Sequence, residues 1–591
     1  MTAPNPPSWQ HCGHGANPED PVGCRGIRVR RHRVCLAHLP LDDRRAYLRN
    51  LAPGRNIDYR GTPFTDELLT DLLRALRDRA TRQPCFGTAK FDEATFTDTA
   101  RFEGTTFTGN ASFESTVFNR GASFGSATFA DGAYFHRTVF TGGAHFSSAT
   151  FSGSSRQEGT TVVTTGAAWF GATIFTGSAW FEGTTFNGST VFGATFAGEA
   201  RFNGATFTGD AQFNGARFEA APELGPLACE GEIDLSGAVF GHPVTIEMSG
   251  FRLVCRRTRW SSVAALRLRC ATVDLSYAVP EFPLSVTALP EPLRHGGSPL
   301  EKGALRNCPP SVRLESVRGV DAAHLVLTDI DLSTCLFSGS VHLDQLTMAG
   351  ECPLAEAPGG MQRCGWLPVL WTARRTLAEE QHWRHSRGYT GWDPAPPSTN
   401  ALRAAEWPMP GPATLAPVYR QLRKALEDSK NEPDAADFYY GEMEMRRNDP
   451  ARPLSEHVLL TAYWAVSGYG LRASRALAWL LLTMAGTILA LMLWGIPQDR
   501  PKPTTTGRIT GPDISLTTNT PAPLNPTGPL GERFATDRFE KSLRTVINSV
   551  VFRSSGQHLT TVGTYTEMAS RFVEPVLLAL AILAVRGRVK R

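Results

Sequence analysis

Between Phe86 and Phe218 a phenylalanine returns every five or six residues, at 86, 91, 96, 102, 107, 113, 118, 124, 129, 135, 140, 146 and 151, and again from 170 to 218. The alternation of 5 and 6 makes an 11-residue unit, as in Ala100-Arg-Phe-Glu-Gly-Thr-Thr-Phe-Thr-Gly-Asn110. That unit fits neither the 3.6 period of a helix nor the period of 2 of an ordinary strand. A fixed internal period is the mark of a solenoid. With one large ring per unit among Gly, Ala, Ser and Thr, each unit is expected to send one ring inward to stack on its copy in the next coil. The small neighbours let the backbone turn sharply between rings.

The units read Ala89-Lys-Phe91, Ala111-Ser-Phe113, Ala122-Ser-Phe124, Ala144-His-Phe146, Ala179-Trp-Phe181, Ala200-Arg-Phe202 and Ala211-Gln-Phe213. This pattern resembles the pentapeptide-repeat family, whose A-x-[LF]-x-x units wind into a right-handed, four-sided parallel β-helix. The resemblance implies a mainly β chain, with the regular β-helix over residues 85–220 and an irregular continuation over 221–350. Four units per coil turn 13 centres before residue 152 and 10 after residue 169 into about six coils, roughly 28 Å long at ~4.8 Å per strand. The break at 152–169 reads as an inserted loop. Leu235, Phe240, Leu327, Leu332, Phe337, Leu343 and Met348 keep the step, whereas residues 251–313 are expected to bulge out as loops.

Charge narrows the partners. Residues 86–220 hold 7 Lys or Arg against 11 Asp or Glu, a net of −4, and the whole chain is +4. Some members of the family mimic DNA and block type II topoisomerases, but a surface of Thr, Ser and Gly is a poor copy of a phosphate backbone. No nucleic-acid partner is expected, and a rod that spaces or docks proteins is.

Residues 1–7 are polar and Pro-rich and no apolar stretch follows them, which predicts a cytoplasmic start. Residues 1–60 then place His11-Cys-Gly-His14, Cys24 and Cys35-Leu-Ala-His38 in a segment poor in apolar residues. Four S or N ligands in a tetrahedron suit Zn²⁺, and such a clip can order a chain that has little core. Cys12, Cys24, Cys35 and His38 form the expected structural zinc set, with His14 as the substitute. All 11 cysteines precede residue 365, upstream of the apolar segments, as reduced thiols would.

Residues 61–84 are expected to form a helical cap, with Leu68, Leu69, Leu72, Leu73 and Leu76 on one stripe behind Thr65 as N-cap. The cap would cover the unpaired strand edges of the solenoid end. Residues 351–417 read as a loop-rich linker, in which His382 and His385 sit at i and i+3 on an exposed helix face. Residues 418–475 read as amphipathic juxtamembrane helices around a turn at Asn431-Glu-Pro433, similar to the helical pair of bacterial membrane proteins that join pentapeptide repeats to a pore-like C-terminus.

Residues 476–496 contain no charge and span about 31 Å as a helix, enough to cross the hydrocarbon core. Arg446, Arg447, Arg452, Arg472 and Arg475 precede them and hold the N-terminal bulk in the cytoplasm. Residues 497–541 are expected to be an unstructured outer loop, 542–567 a short re-entrant or amphipathic segment, and 568–591 a second crossing with a basic tail. Thr560-Thr-Val-Gly-Thr-Tyr565 resembles the filter of two-transmembrane potassium channels, with residues 542–552 as pore helix, although Thr564 and Tyr565 depart from it. No Walker loop, Gly-x-Ser-x-Gly, His-Glu-x-x-His or dinucleotide fingerprint is present, so no enzyme is expected. The sequence thus reads as a multi-pass plasma-membrane protein bearing a cytoplasmic scaffold for a protein partner. The alternative is an ion channel with a degenerate pore, assembled as a homo-oligomer, and the solenoid as its sensor.

Overall fold

Residues 6–153, 155–158, 161–164, 168–364, 367–371, 373–392, 409–498, 502–510, 513–519, 521, 523–551 and 556–589 are described by the computed structural model. The chain divides into two units, Met1–Pro410 with Val418–Asn431 and Gly411–Pro417 with Glu432–Arg591.

The first unit is a parallel β-solenoid of about 11 turns. One coil is four two-residue strands, such as Thr106–Phe107, Ala111–Ser112, Val117–Phe118 and Ala122–Ser123. Each pairs in parallel with its copy in the next coil, Val117 with Val139 and Ala122 with Ala144. The rings from Phe86 to Phe240 are at most 3% exposed. Phe91, Phe113, Phe135, Phe170, Phe192 and Phe213 form one column, with successive centroids 5.1, 5.0, 5.0, 5.0 and 4.8 Å apart and planes within 10° of parallel. The offset stack places each ring at the separation favoured by aromatic pairs. Buried threonines tie the coils together: Thr116 Oγ1 donates to the Phe91 carbonyl and Thr138 Oγ1 to that of Phe113, both at 2.7 Å. Two corners of each coil need a left-handed residue: Gly104 and Ser126 take one with φ of 63 and 56°, and Ser115 and Arg137 the other with φ of 54 and 57°.

The break in the repeat holds an antiparallel hairpin, Ser155–Glu158 with Thr161–Thr164. Past Phe218 the strands lengthen to 12 residues in Glu223–Asp234 and 11 in Val244–Val254. Residues 251–313, expected as loops, mostly stay in the wall. Ala264–Arg269, Thr272–Asp274 and Leu284–Ala288 pair in register with the coils on either side, because Leu266, Val273 and Val286 fill the interior where phenylalanine stood before. Only residues 289–311 leave it, and Leu293, Leu300 and Leu305 pack back on Ala228. The coils run on to Thr347–Ala349.

Both ends are covered. The helix Asp66–Ala75 starts at Thr65, whose side chain accepts the Leu68 N–H, and buries Leu68, Leu69, Leu72 and Leu76. It follows Pro63–Phe64, whose ring stacks on Phe96 at 5.1 Å, so the first coil begins before the Phe repeat does. At the other end, residues 351–392 are built rather than loop-like: Ala355–Glu356 pairs with Arg375–Thr376, Gly360–Cys364 with Leu367–Trp371, and Ala378–Ser386 is a helix. Residues 393–408 lie outside the described residues. Glu379 accepts the N–H groups of Phe337 and Ser338 at 2.5 and 3.0 Å, closing the last coil. Its neighbour Glu380 is fully buried among Arg374, Arg384 and the hydroxyl of Tyr419. His385 is exposed on this helix and His382 half-buried.

The second unit is helical: Glu432–Arg447, Leu454–Ser467, Ala473–Ala490 with a closing π turn Leu491–Gly495, Thr536–Val550 and Thr561–Val589. Where an unstructured outer loop was expected, Thr504–Thr510 and Asp513–Asn519 form a hairpin.

Candidate metal centre

The four expected ligands come together through two short pieces of backbone. His11 bridges Ile27 in antiparallel fashion, the Cys12 N–H donates to the Gly26 carbonyl and the Gly13 N–H to that of Cys24, both at 2.8 Å. That ladder sets Cys12 beside Cys24. Cys35 opens the 3₁₀ turn Leu36–His38, which returns His38 to the side of Cys35 three residues later. The ligand atoms of Cys12, Cys24, Cys35 and His38 all lie within 4.8 Å of one another, a group that can hold a metal ion. Cys24 Sγ is 3.7 Å from Cys35 Sγ, and His38 Nδ1 is 3.3 Å from Cys35 Sγ and 3.6 Å from Cys12 Sγ. A tetrahedral zinc with ~2.3 Å sulfur and ~2.0 Å nitrogen bonds needs edges of about 3.8 and 3.5 Å.

The surroundings fit a cation. Cys24 donates or accepts a hydrogen bond with Cys35, and that bond, with help from the Gly26 N–H and the His38 charge, holds the Cys24 thiol well below its ordinary pKa against the effect of its burial. The same bond, burial and the nearby sulfurs push Cys35 up. The pair therefore gives up one proton readily and keeps the second, which a dication would replace. Gly26 has no substitute at its place, since a Cβ there would stand 2.7 and 2.8 Å from the Cβ and Sγ of Cys35. His14 is not gathered with the four. Its ring stacks on His38 at 4.2 Å and so braces the ligand instead.

The module is fastened to the solenoid. Arg25 meets Glu93 through Nε and Nη2 at 3.2 and 2.9 Å, the Ile27 N–H donates to the Arg60 carbonyl, and the Arg60 guanidinium lies 4.8 Å over the Trp9 ring. These contacts were not legible beforehand, although Arg25 following Cys24 is the kind of signal that could have raised them.

In the helical unit, Ala473–Gly495 and Thr561–Arg586 are long and apolar enough to cross a membrane, with mean hydropathy 2.2 and 1.9. The second is continuous through Pro575 and begins at Thr561, which changes the reading of the filter-like segment. Residues 561–565 are the first turn of that helix, and the Thr560 carbonyl accepts the Thr564 N–H at 2.9 Å. A filter needs an extended backbone whose carbonyls are free to replace an ion's hydration shell. Gly563 instead lies against the backbone of Gly495, leaving no room for a Cβ.

A family model for pentapeptide repeats matches residues 91–139 and 170–217, in 9 copies. No curated protein and no solved structure matches the chain.

Proposed function

Since the solenoid of this chain is a pentapeptide-repeat domain, we propose that it works as a non-catalytic docking scaffold, held on the cytoplasmic face of a plasma membrane by two crossings. The exposure of the two apolar helices carries the reading. Only 22 and 33% of their apolar windows are buried, whereas a helix serving as a soluble core would be mostly covered. Leu481, Leu482, Phe572, Ile582 and Leu583 are each more than half exposed, and water would penalise that surface heavily. Arg472 and Arg475 flank the start of the first helix, which favours a cytoplasmic solenoid.

The docking face we favour is a belt on the outer wall. Trp169 stacks on Tyr134 at 4.8 Å on one side of the coil and Trp180 on His145 at 3.9 Å on the opposite side, with the half-exposed Ile174 on the strand between them, so the belt wraps around the rod. Outward-facing aromatics are the residues that anchor protein interfaces. Zinc at Cys12, Cys24, Cys35 and His38 would be structural. A flotation and carbonate-extraction assay tests the anchor: the protein should stay with the bilayer. A cysteine at Thr517 should react with an impermeant thiol reagent from outside, while a C-terminal reporter stays inside. Release by carbonate would overturn the anchor, and a C-terminus labelled from outside would leave a single crossing. For the docking face, a protein partner captured by crosslinking in native membranes should be lost on Trp169→Ala with Trp180→Ala; capture unchanged would move docking elsewhere.

A further inference from the structure

Glu574 lies midway along Thr561–Arg586, with about 19 Å of helix on either side, and no part of it is exposed. One carboxylate oxygen accepts the Thr487 hydroxyl at 3.0 Å, and the other has no hydrogen-bond partner among the described residues. The nearest charges on its helix, Glu567 and Arg571, are paired with each other at 2.6 Å. An uncompensated carboxylate away from water is costly, and an ionisable group inside a membrane span marks a site.

Glu574 lines an open groove of about 280 Å³ between this helix and Ala473–Ala490. The polar groups around it are acceptors. Thr483 donates its one hydroxyl proton to the carbonyl of Trp479 or Leu480, and Thr566 gives its own to Val562 at 2.8 Å. Thr487 has one proton for two acceptors, the Thr483 carbonyl and Glu574. Ser570 shares a hydrogen bond with Ser549 at 2.7 Å. With their protons committed, these hydroxyls turn lone pairs toward the space. An anion would find no donor there, and a divalent ion would lack the several carboxylates it prefers. Gly486, Ala490, Ala569 and Val573 complete the lining, and the small residues among them leave room for an ion that keeps some of its water.

We propose that Glu574, Thr487, Thr483 and Thr566 form a binding site for a partly hydrated monovalent metal cation, Na⁺ being the probe of choice. The site rests on the reading of these two helices as a membrane-spanning pair. It asks for no filter, because one carboxylate and hydroxyl oxygens supply the ligands.

The test uses the full-length protein in detergent, treated with dicyclohexylcarbodiimide, which modifies carboxyl groups shielded from water. Peptide mass spectrometry follows the adduct at Glu574 in NaCl and in choline chloride at equal ionic strength. In choline the adduct should form. In Na⁺ at ten times the half-effect concentration its rate should fall about tenfold, as expected for occupancy of one site. Thr487→Ala should weaken that protection, and Glu574→Gln should leave the peptide unmodified. Equal labelling in both salts, or no labelling of the folded wild type, would overturn the site. Because the wild type in two salts decides the matter, a variant that fails to fold does not. Carbonate extraction reads the anchor separately: protein released from membranes yet protected by Na⁺ would keep the site and lose the spans.

Discussion

The metal-ligand module, with 10 Val, Ile or Leu in residues 1–60, and the solenoid, with 6 in residues 85–220, are ordered by opposite means. Around Cys12, Cys24, Cys35 and His38 the order is concentrated in four atoms within 4.8 Å of one another, with Val22, Val29, Leu36 and Leu39 buried in the same segment. In the coils it is distributed, because each ring between Phe91 and Phe213 touches the ring before it and the ring after it at about the same distance. A concentrated device fails all at once. A distributed one loses a fixed increment per residue, which is how repeat arrays with nearest-neighbour contacts behave.

The largest effect expected is therefore at one sulfur. Cys35→Ser should abolish metal binding in a protein that otherwise carries about one equivalent of zinc, a site on the scale of 10 kcal/mol or more at neutral pH. Hydrogen exchange should show residues 9–38 losing protection while residues 85–220 keep theirs. Acid should act in the same direction, since the ligands must be thiolates and affinity falls as pH falls. Metal-free protein with an equally protected module would break the contrast.

In the solenoid, Phe124→Ala should cost about 3 to 5 kcal/mol by chemical denaturation, because Phe102 and Phe146 lie 5.0 Å above and below it and cannot close the gap. Leu266→Ala, in the aliphatic half between Ile246 and Val286, should cost about 2 to 5 kcal/mol and toward the lower part of that range, since branched neighbours can repack. Equal costs at the two positions would mean that ring stacking adds nothing to burial.

The two halves of the solenoid also differ in how far sequence reveals them. A ring every five or six residues has no other common explanation, so residues 86–218 were legible as stacked coils. Leu266, Val273 and Val286 occupy the same inward places, but aliphatic residues at such spacings occur in any strand, so residues 251–313 read as loops although only 289–311 leave the wall. The metal ligands were legible from their chemistry alone, with His14 left open. The helix Ala378–Ser386 is expected as an exposed face carrying His382 and His385, and its closing role is hidden because Glu379 and Glu380 look like a solvated pair. The signal was the arginines that flank them, Arg374 upstream and Arg384 one turn on. Residues 561–565 misled because four residues of a filter motif can equally begin a helix.

Acid provides a second concentrated case. Burial raises the pKa of Glu380, but Arg374 and Arg384 outweigh it and bring it down to about 2. A carboxyl depressed below its ordinary value stabilises the fold above that value. The contribution, on the order of 3 kcal/mol, should disappear as pH falls from about 4.5 toward 2. Hydrogen exchange in residues 378–386 at pH 6, 4 and 3 should follow that loss. Protection that stays flat across the range would place the helix among the distributed contacts instead.

The smallest effects separate the inside of a coil from its outside. Thr138 is fully buried, and its hydroxyl donates at 2.7 Å to the Phe113 carbonyl one coil back. Thr138→Val keeps the shape and removes that hydrogen bond, so about 1 kcal/mol should be lost. Thr128 stands next to Phe129 on the outward side of its strand and is half-buried, paired only through its backbone with Thr106 and Thr150. Thr128→Ser should stay within about 0.5 kcal/mol. Both substitutions change one threonine in a two-residue strand or its corner, so their difference reports the inter-coil hydrogen bond and little else. If Thr128→Ser cost as much as Thr138→Val, the outer wall would be carrying stability that the ring columns and threonine ties are here taken to supply.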